Sequence, residues 1–86
     1  MSLSAAKRRE LLQSDAAVGN RIAKAVELAG CTLVEVQRGT GLSYPYISDV
    51  SRGRFQTITV DNAHKFAEFF GCAIEDLFPQ RESIAS

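Results

Sequence analysis

At 86 residues the chain has room for one domain with a modest hydrophobic core, a size at which dimerisation or docking onto a partner often adds stability. A hydrophobic fraction of 45% beside a charged fraction of 23% is typical of a soluble globular protein, and no apolar run approaches the roughly 18 residues of a membrane span. A formal net charge of zero excludes a globally basic nucleic-acid binder, so any phosphate-binding footprint must be local.

Near the N-terminus, Lys7-Arg8-Arg9 is followed by Glu10-Leu11-Leu12-Gln13 and not by the long apolar stretch of an export signal, which points to a cytoplasmic protein. Residues 1–15 read either as a basic arm that touches DNA phosphates or the minor groove, or as a short amphipathic helix ending at Gln13 with solvated basic residues. The helix is the simpler reading, with the first few residues loosely ordered.

Apolar residues then recur at helical spacing with glycines between the runs, and no sustained alternation marks a strand, so the fold class is all-α. The pattern predicts five helices over residues 16–79. The first spans about Ala16 to Ala29, capped by Ser14 or Asp15, stopped by Gly30, and buries Val18, Ile22, Ala25, Val26 and Ala29. A second starts at Thr32, where Thr32 and Glu35 form a capping box, faces Leu33 and Val36 inward, and ends before Gly41. Ser43 caps a third, with Pro45 tolerated in its first turn, Ile47 and Val50 as anchors and Gly53 as the stop. Thr59 caps a fourth, whose Val60, Ala63, Phe66, Ala67 and Phe70 form one stripe up to Gly71. A short fifth runs from Ala73 to Phe78, acidic in its first turn through Glu75 and Asp76 and halted by Pro79, so that Ile74, Leu77 and Phe78 close the core. Residues 80–86 read as a loose tail.

Cys31 and Cys72 lie far apart and His64 is the lone histidine, so neither a zinc site nor a disulfide framework is indicated; the cysteines read as buried thiols and His64 as a solvated helix residue. No nucleophile stands beside a base and no phosphate-cradling loop is present, which argues against an enzyme. No cofactor, metal or small-molecule ligand is implied.

Two short helices joined across Gly41, the second polar on its outer face, are what a helix-turn-helix requires. With Ile47 and Val50 holding the second helix from behind, Tyr44, Pro45, Tyr46, Ser48 and Asp49 would meet base edges. Tyr44 and Tyr46 offer a hydroxyl and an apolar ring, and Asp49 can accept from a cytosine amino group or merely oppose non-specific binding. Arg38, Arg52 and Arg54 supply positive charge on the same edge, whereas Glu27, Glu68, Glu75 and Asp76 fall behind it. Thr32, Ser43 and Gln56 complete the candidate phosphate contacts.

From about Gly19 to Phe78 the chain resembles the phage repressor and Cro family, also called the xenobiotic-response-element family of regulators. The resemblance is carried by Arg21-Ile22, Gly41-Leu42-Ser43, Tyr46-Ile47-Ser48-Asp49, Arg52-Gly53-Arg54, Phe66-Ala67-Glu68-Phe69-Phe70-Gly71 and Glu75-Asp76-Leu77-Phe78. It departs from the family pattern at Leu33, where a phosphate-contacting Gln is common, at Gln37 and Thr40 in the second helix, and at Val26 and Ser51, where the family often pairs an Arg with a Glu. Losing both members of such a pair is coherent, because losing one would strand a buried charge. The resemblance implies a five-helix lambda-repressor-like DNA-binding domain and a transcriptional regulator, most simply a repressor, that binds a near-palindromic operator in double-stranded DNA as a homodimer. Residues 43–52 would form its recognition helix, and Phe69, Leu77, Phe78 and Ile84 the dimer contact. The alternative is a protein-binding module, an antitoxin or adaptor, that keeps the fold with weak DNA contact.

Overall fold

Helix ends account for much of this architecture, because each helix leaves four N–H groups and four carbonyls unpaired unless a cap supplies partners. The computed structural model describes residues 2–55, 57–80 and 84–85, and contains six helices and a two-stranded sheet. In chain order these are α1 (Ala5–Gln13), α2 (Ile22–Ala29), α3 (Leu33–Thr40), α4 (Tyr44–Ser51), β1 (Ile58–Thr59), α5 (Val60–Phe70), α6 (Ile74–Leu77) and β2 (Ile84–Ala85). Ser4, Thr32, Ser43 and Thr59 each accept a backbone N–H through the side-chain oxygen at the start of α1, α3, α4 and α5. Gly30, Gly41 and Gly71 close α2, α3 and α5 in the left-handed conformation.

The core is built from Ile22, Val36, Ile47, Phe66, Phe70 and Leu77, all fully buried. Phe69 meets Phe70 edge to face with ring centroids 5.0 Å apart. The helices α3 and α5 touch where Gly39 meets Phe69; a Cβ at position 39 would run into the Phe69 ring. Val60, expected in the buried stripe of α5, is 40% exposed at the first position of the helix.

The first core helix starts later than its apolar pattern suggests. Ala16 to Gly19 form a turn, Val18 is exposed, and neither Ser14 nor Asp15 caps α2. Asn20 provides the start instead: its Oδ1 accepts from Ile22 N–H at 3.0 Å while its Nδ2 donates to the Val50 carbonyl at 2.8 Å, the residue itself being buried. One amide thus caps α2 and ties it to the end of α4.

The N-terminal segment is docked from Leu3 onward, contrary to the expected loose start. Leu3 is buried and donates its N–H to the Phe70 carbonyl at 2.8 Å, and Leu11 is fully buried. Arg8 Nε donates to Asp76 Oδ2 at 2.8 Å, and the same oxygen accepts from Ala73 N–H at 3.0 Å. Asp76, expected only as an acid that suits the first turn of the last short helix, is buried as the partner of a basic residue from α1. The Arg21 guanidinium donates to the carbonyls of Ser14, Leu12 and Asp76, satisfying the open end of α1 with a cation, as the helix dipole favours. Part of the supposed tail is ordered as well. Ile58 pairs with Ile84 and Thr59 with Ala85 in a short parallel ladder that the helical periodicity could not announce.

Both thiols are half-buried. Burial pushes the Cys72 thiol up to about 11, with Asp76 adding to the shift and Arg8 opposing it; burial, then Glu35, raises Cys31.

Asn20→Ala strands the Ile22 N–H and leaves the Val50 carbonyl with Gly53 N–H as its one remaining donor among the described residues, so it should lower unfolding free energy by about 1–2 kcal/mol in urea titration, and Asn20→Asp should not fully rescue it because a carboxylate cannot donate to Val50. Cys72 should react with iodoacetamide at pH 8 roughly 100-fold more slowly than an unperturbed thiol, since the thiolate is the nucleophile. Because its pKa is raised on folding, the stability it contributes is complete below about pH 9, the ordinary thiol value, and declines as pH rises towards 11; Cys72→Ala should remove that decline.

Candidate nucleic-acid interface

The α3–α4 unit is stitched at three places by side chains of its own sequence. At its entry, Thr32 Oγ1 accepts from Glu35 N–H at 3.2 Å and Glu35 Oε1 accepts from Thr32 N–H at 3.1 Å, so the capping box forms and holds the Thr32 hydroxyl against Glu35. At the turn, Gly41 adopts φ 77°, and Thr40 Oγ1 donates to the Val36 carbonyl at 2.7 Å while accepting from Leu42 N–H at 3.2 Å. Thr40, a departure from the small apolar residues common there, is the fastening of this turn. At the start of α4, Ser43 Oγ accepts from Tyr46 N–H at 3.4 Å, and Pro45 sits in the first turn without loss of a helical hydrogen bond.

Ile47 and Val50 turn inward as expected, fully or almost fully buried. Pro45, Asp49 and Arg52, spaced i, i+4 and i+7, fall on one outer stripe, with Tyr44 43% exposed beside it. Arg38 is exposed on the last turn of α3, and Arg54 is exposed just after α4. Ser48 does not share this surface: it is only 9% exposed, so its assignment to base readout is corrected. Ser48 directly follows the fully buried Ile47 and stands on the flank of the anchoring face, not on the outer stripe. Gln56 lies outside the described residues.

Asp49 does not stand alone toward solvent. Its Oδ1 lies 3.4 Å from Arg54 Nη1, and the Arg54 N–H donates to the Asp49 carbonyl at 3.0 Å, folding Arg54 back over the helix end. The carboxylate therefore neutralises a cation of its own chain. Tyr46 is half-buried, its ring centroid 5.3 Å from that of Phe55 and its hydroxyl oxygen accepting from Asn62 Nδ2 at 2.9 Å. Neither Phe55, 44% exposed at the edge of the site, nor Asn62 was legible as part of it. The one cue is that Asn62 stands at the third position after the Thr59 cap, where side chains reach across a helix start.

A family of known proteins shares this arrangement: the model of the Cro/C1-type HTH DNA-binding domain matches residues 21–79. The chain belongs to that family. Its Cro/C1-type domain begins at Arg21 and ends at Pro79, so α2 to α6 lie within the matched stretch and α1 is an addition to it. Membership makes the chain a DNA-binding regulator with α3 and α4 as its helix-turn-helix. No curated protein and no solved structure gave a significant match. Where the Cro/C1-type family often has an Arg–Glu pair, Val26 packs against the core and Ser51 Oγ donates to the Ser48 carbonyl at 2.8 Å, so no charge is stranded at either position. No helix among the described residues is long and apolar enough to cross a membrane.

The four residues associated with dimerisation are mostly occupied within the protomer. Leu77 is fully buried, Phe78 and Phe69 nearly so, and Ile84 is half-buried in β2. The basic triplet is likewise part of a helix, with Arg8 held by Asp76.

An exposed ion pair contributes little to stability, so Asp49→Ala should leave the melting temperature unchanged within error. With Arg54 released to a phosphate, the same variant should bind non-specific duplex more tightly at low salt. Its plot of log affinity against log salt should steepen by about 0.9, the value of one added phosphate contact, measured by fluorescence anisotropy.

Proposed function

We propose that this chain is a repressor that binds a near-palindromic operator as a homodimer, with α4 in the major groove and α3 across the backbone. The observation that carries this reading is the outer stripe of α4, where Tyr44, Pro45, Asp49 and Arg52 face away from the core while Ile47 and Val50 anchor the helix behind them. In the complex, Tyr44, Pro45, Tyr46 and Asp49 meet base edges, Asp49 by accepting from a cytosine amino group. Thr32, Arg38, Ser43, Arg52, Arg54 and Gln56 meet phosphates and set the register. A homodimer places two copies of α4 about 34 Å apart, one turn of duplex, so that both enter the same groove face. Of the four dimer candidates Ile84 retains the most surface, which favours a contact on the C-terminal side of the protomer. Excluding polymerase from the occupied operator is the mechanism of repression.

The internal Asp49–Arg54 pair and the zero net charge favour a second reading, a protein-binding antitoxin or adaptor on the same fold. Selection of random duplexes by the purified protein at about 100 mM salt separates the two. A two-fold-symmetric site should be enriched, with Tyr44→Ala and Asp49→Ala each relaxing the preference at one position per half-site. No enrichment by the intact protein would decide for the protein-binding module. Sedimentation equilibrium tests the dimer separately, and a chain that stays monomeric at high micromolar concentration while binding its site tightly would exclude it.

A further inference from the structure

Tyr46 on α4 and Asn62 in the first turn of α5 are joined by one hydrogen bond whose direction matters, since Asn62 Nδ2 donates at 2.9 Å and the phenol oxygen accepts. A tyrosine hydroxyl has one proton to give and lone pairs to accept with. When the acceptor direction facing α5 is taken by Asn62, the O–H must point the other way. Among the described residues that proton goes to no acceptor of the chain. The rest of the group is fixed too. The Phe55 ring lies 5.3 Å away at a tilt of 40° and sets the plane of the phenol, and the Asn62 backbone is held by its N–H donating to Thr59 Oγ1 at 3.2 Å. A donor whose own oxygen accepts a hydrogen bond is also polarised into a stronger donor.

We infer that Asn62 is a positioning residue that presets the Tyr46 hydroxyl as a hydrogen-bond donor toward an acceptor on the DNA, a phosphate oxygen or a base-edge acceptor. Tyr46 then rejects positions that present only a donor, such as the exocyclic amines of cytosine and adenine. This rests on the reading of α4 as the DNA-facing helix. Both acceptor sources suit the surroundings: Arg54, next to Phe55, attracts phosphate, and Asp61, next to Asn62, repels it and leaves room for a base edge.

Binding of the full chain to its selected duplex, followed by fluorescence anisotropy, tests the inference with Tyr46→Phe, Asn62→Ala, Asn62→Asp and the Tyr46→Phe variants of both Asn62 substitutions. Tyr46→Phe and Asn62→Ala should each weaken binding about fivefold, and the double variant should be no weaker than Tyr46→Phe alone, because the loss passes through one hydroxyl. Asn62→Asp should lose as much: a carboxylate can only accept, so it draws the hydroxyl proton inward. An acidic residue in the first turn of α5 suits the helix dipole, so this variant keeps the fold, and its Tyr46→Phe counterpart subtracts any effect of the added charge. Methylphosphonate at single phosphates and 7-deaza substitution at single purines identify the acceptor; at one of these positions the penalty seen with the intact protein should vanish in Tyr46→Phe. Additive losses in the double variant, or an Asn62→Ala protein that binds as the intact one does while Tyr46→Phe does not, would overturn the positioning role and leave the operator reading standing. Failure of the intact chain to bind any duplex would overturn both.

Discussion

The side-chain amide of Asn20 couples the two parts of this molecule. Through its oxygen it starts α2, whose Ile22 and Ala25 belong to the core, and through its nitrogen it holds the last turn of α4, whose opposite face carries the exposed stripe of Tyr44, Pro45 and Arg52. Both hydrogen bonds are buried, so neither can be exchanged for water without exposing the core that surrounds them. The orientation of α4 is therefore set twice, from behind by the packing of Ile47 and Val50 and at its end by an atom that also begins another helix. Gly39 completes the constraint by letting α3 lie directly on the Phe69 ring.

Electrostatics take a form that composition conceals. A net charge of zero in a DNA-binding family looks unfavourable until the pairs are located. Arg8 is held by Asp76 against α6, Lys24 lies 3.5 Å from Glu27, and Arg54 is folded onto Asp49. Arg38 and Arg52, on the helix-turn-helix side, belong to none of these pairs, and the Asp49–Arg54 pair beside them is neutral, so the local footprint is positive while the whole chain is neutral.

Much of the fold could be read from residue order, because helix punctuation is local chemistry. Thr32 with Glu35, Ser43 before Pro45, Thr59 before its apolar run, and the glycines after α2, α3 and α5 each state a boundary within a few residues of themselves. What failed was decided at long range. Ala16, Ala17 and Val18 continue the apolar period of α2, and only Asn20, by reaching Val50 thirty residues away, moves its start to Ile22. Arg8 reads as a solvated helix residue until Asp76, 68 residues on, is placed beside it. Within the candidate site, the outward placement of Tyr44, Pro45, Asp49 and Arg52 was legible from helical spacing, whereas the burial of Ser48 depends on how α4 is rotated, and the contacts of Phe55 and Asn62 with Tyr46 require α5 to be in position.

The way Arg21 holds α1 has a consequence for how this chain can change. The family domain begins at that residue, and its guanidinium addresses the helix through carbonyl oxygens, which every amino acid carries. The tie is indifferent to which side chains occupy positions 12 and 14. Beyond Arg8 and the buried Leu3 and Leu11, the leading helix is free to accumulate substitutions without loosening from the domain it precedes, and it can acquire a surface of its own while the helix-turn-helix stays under selection.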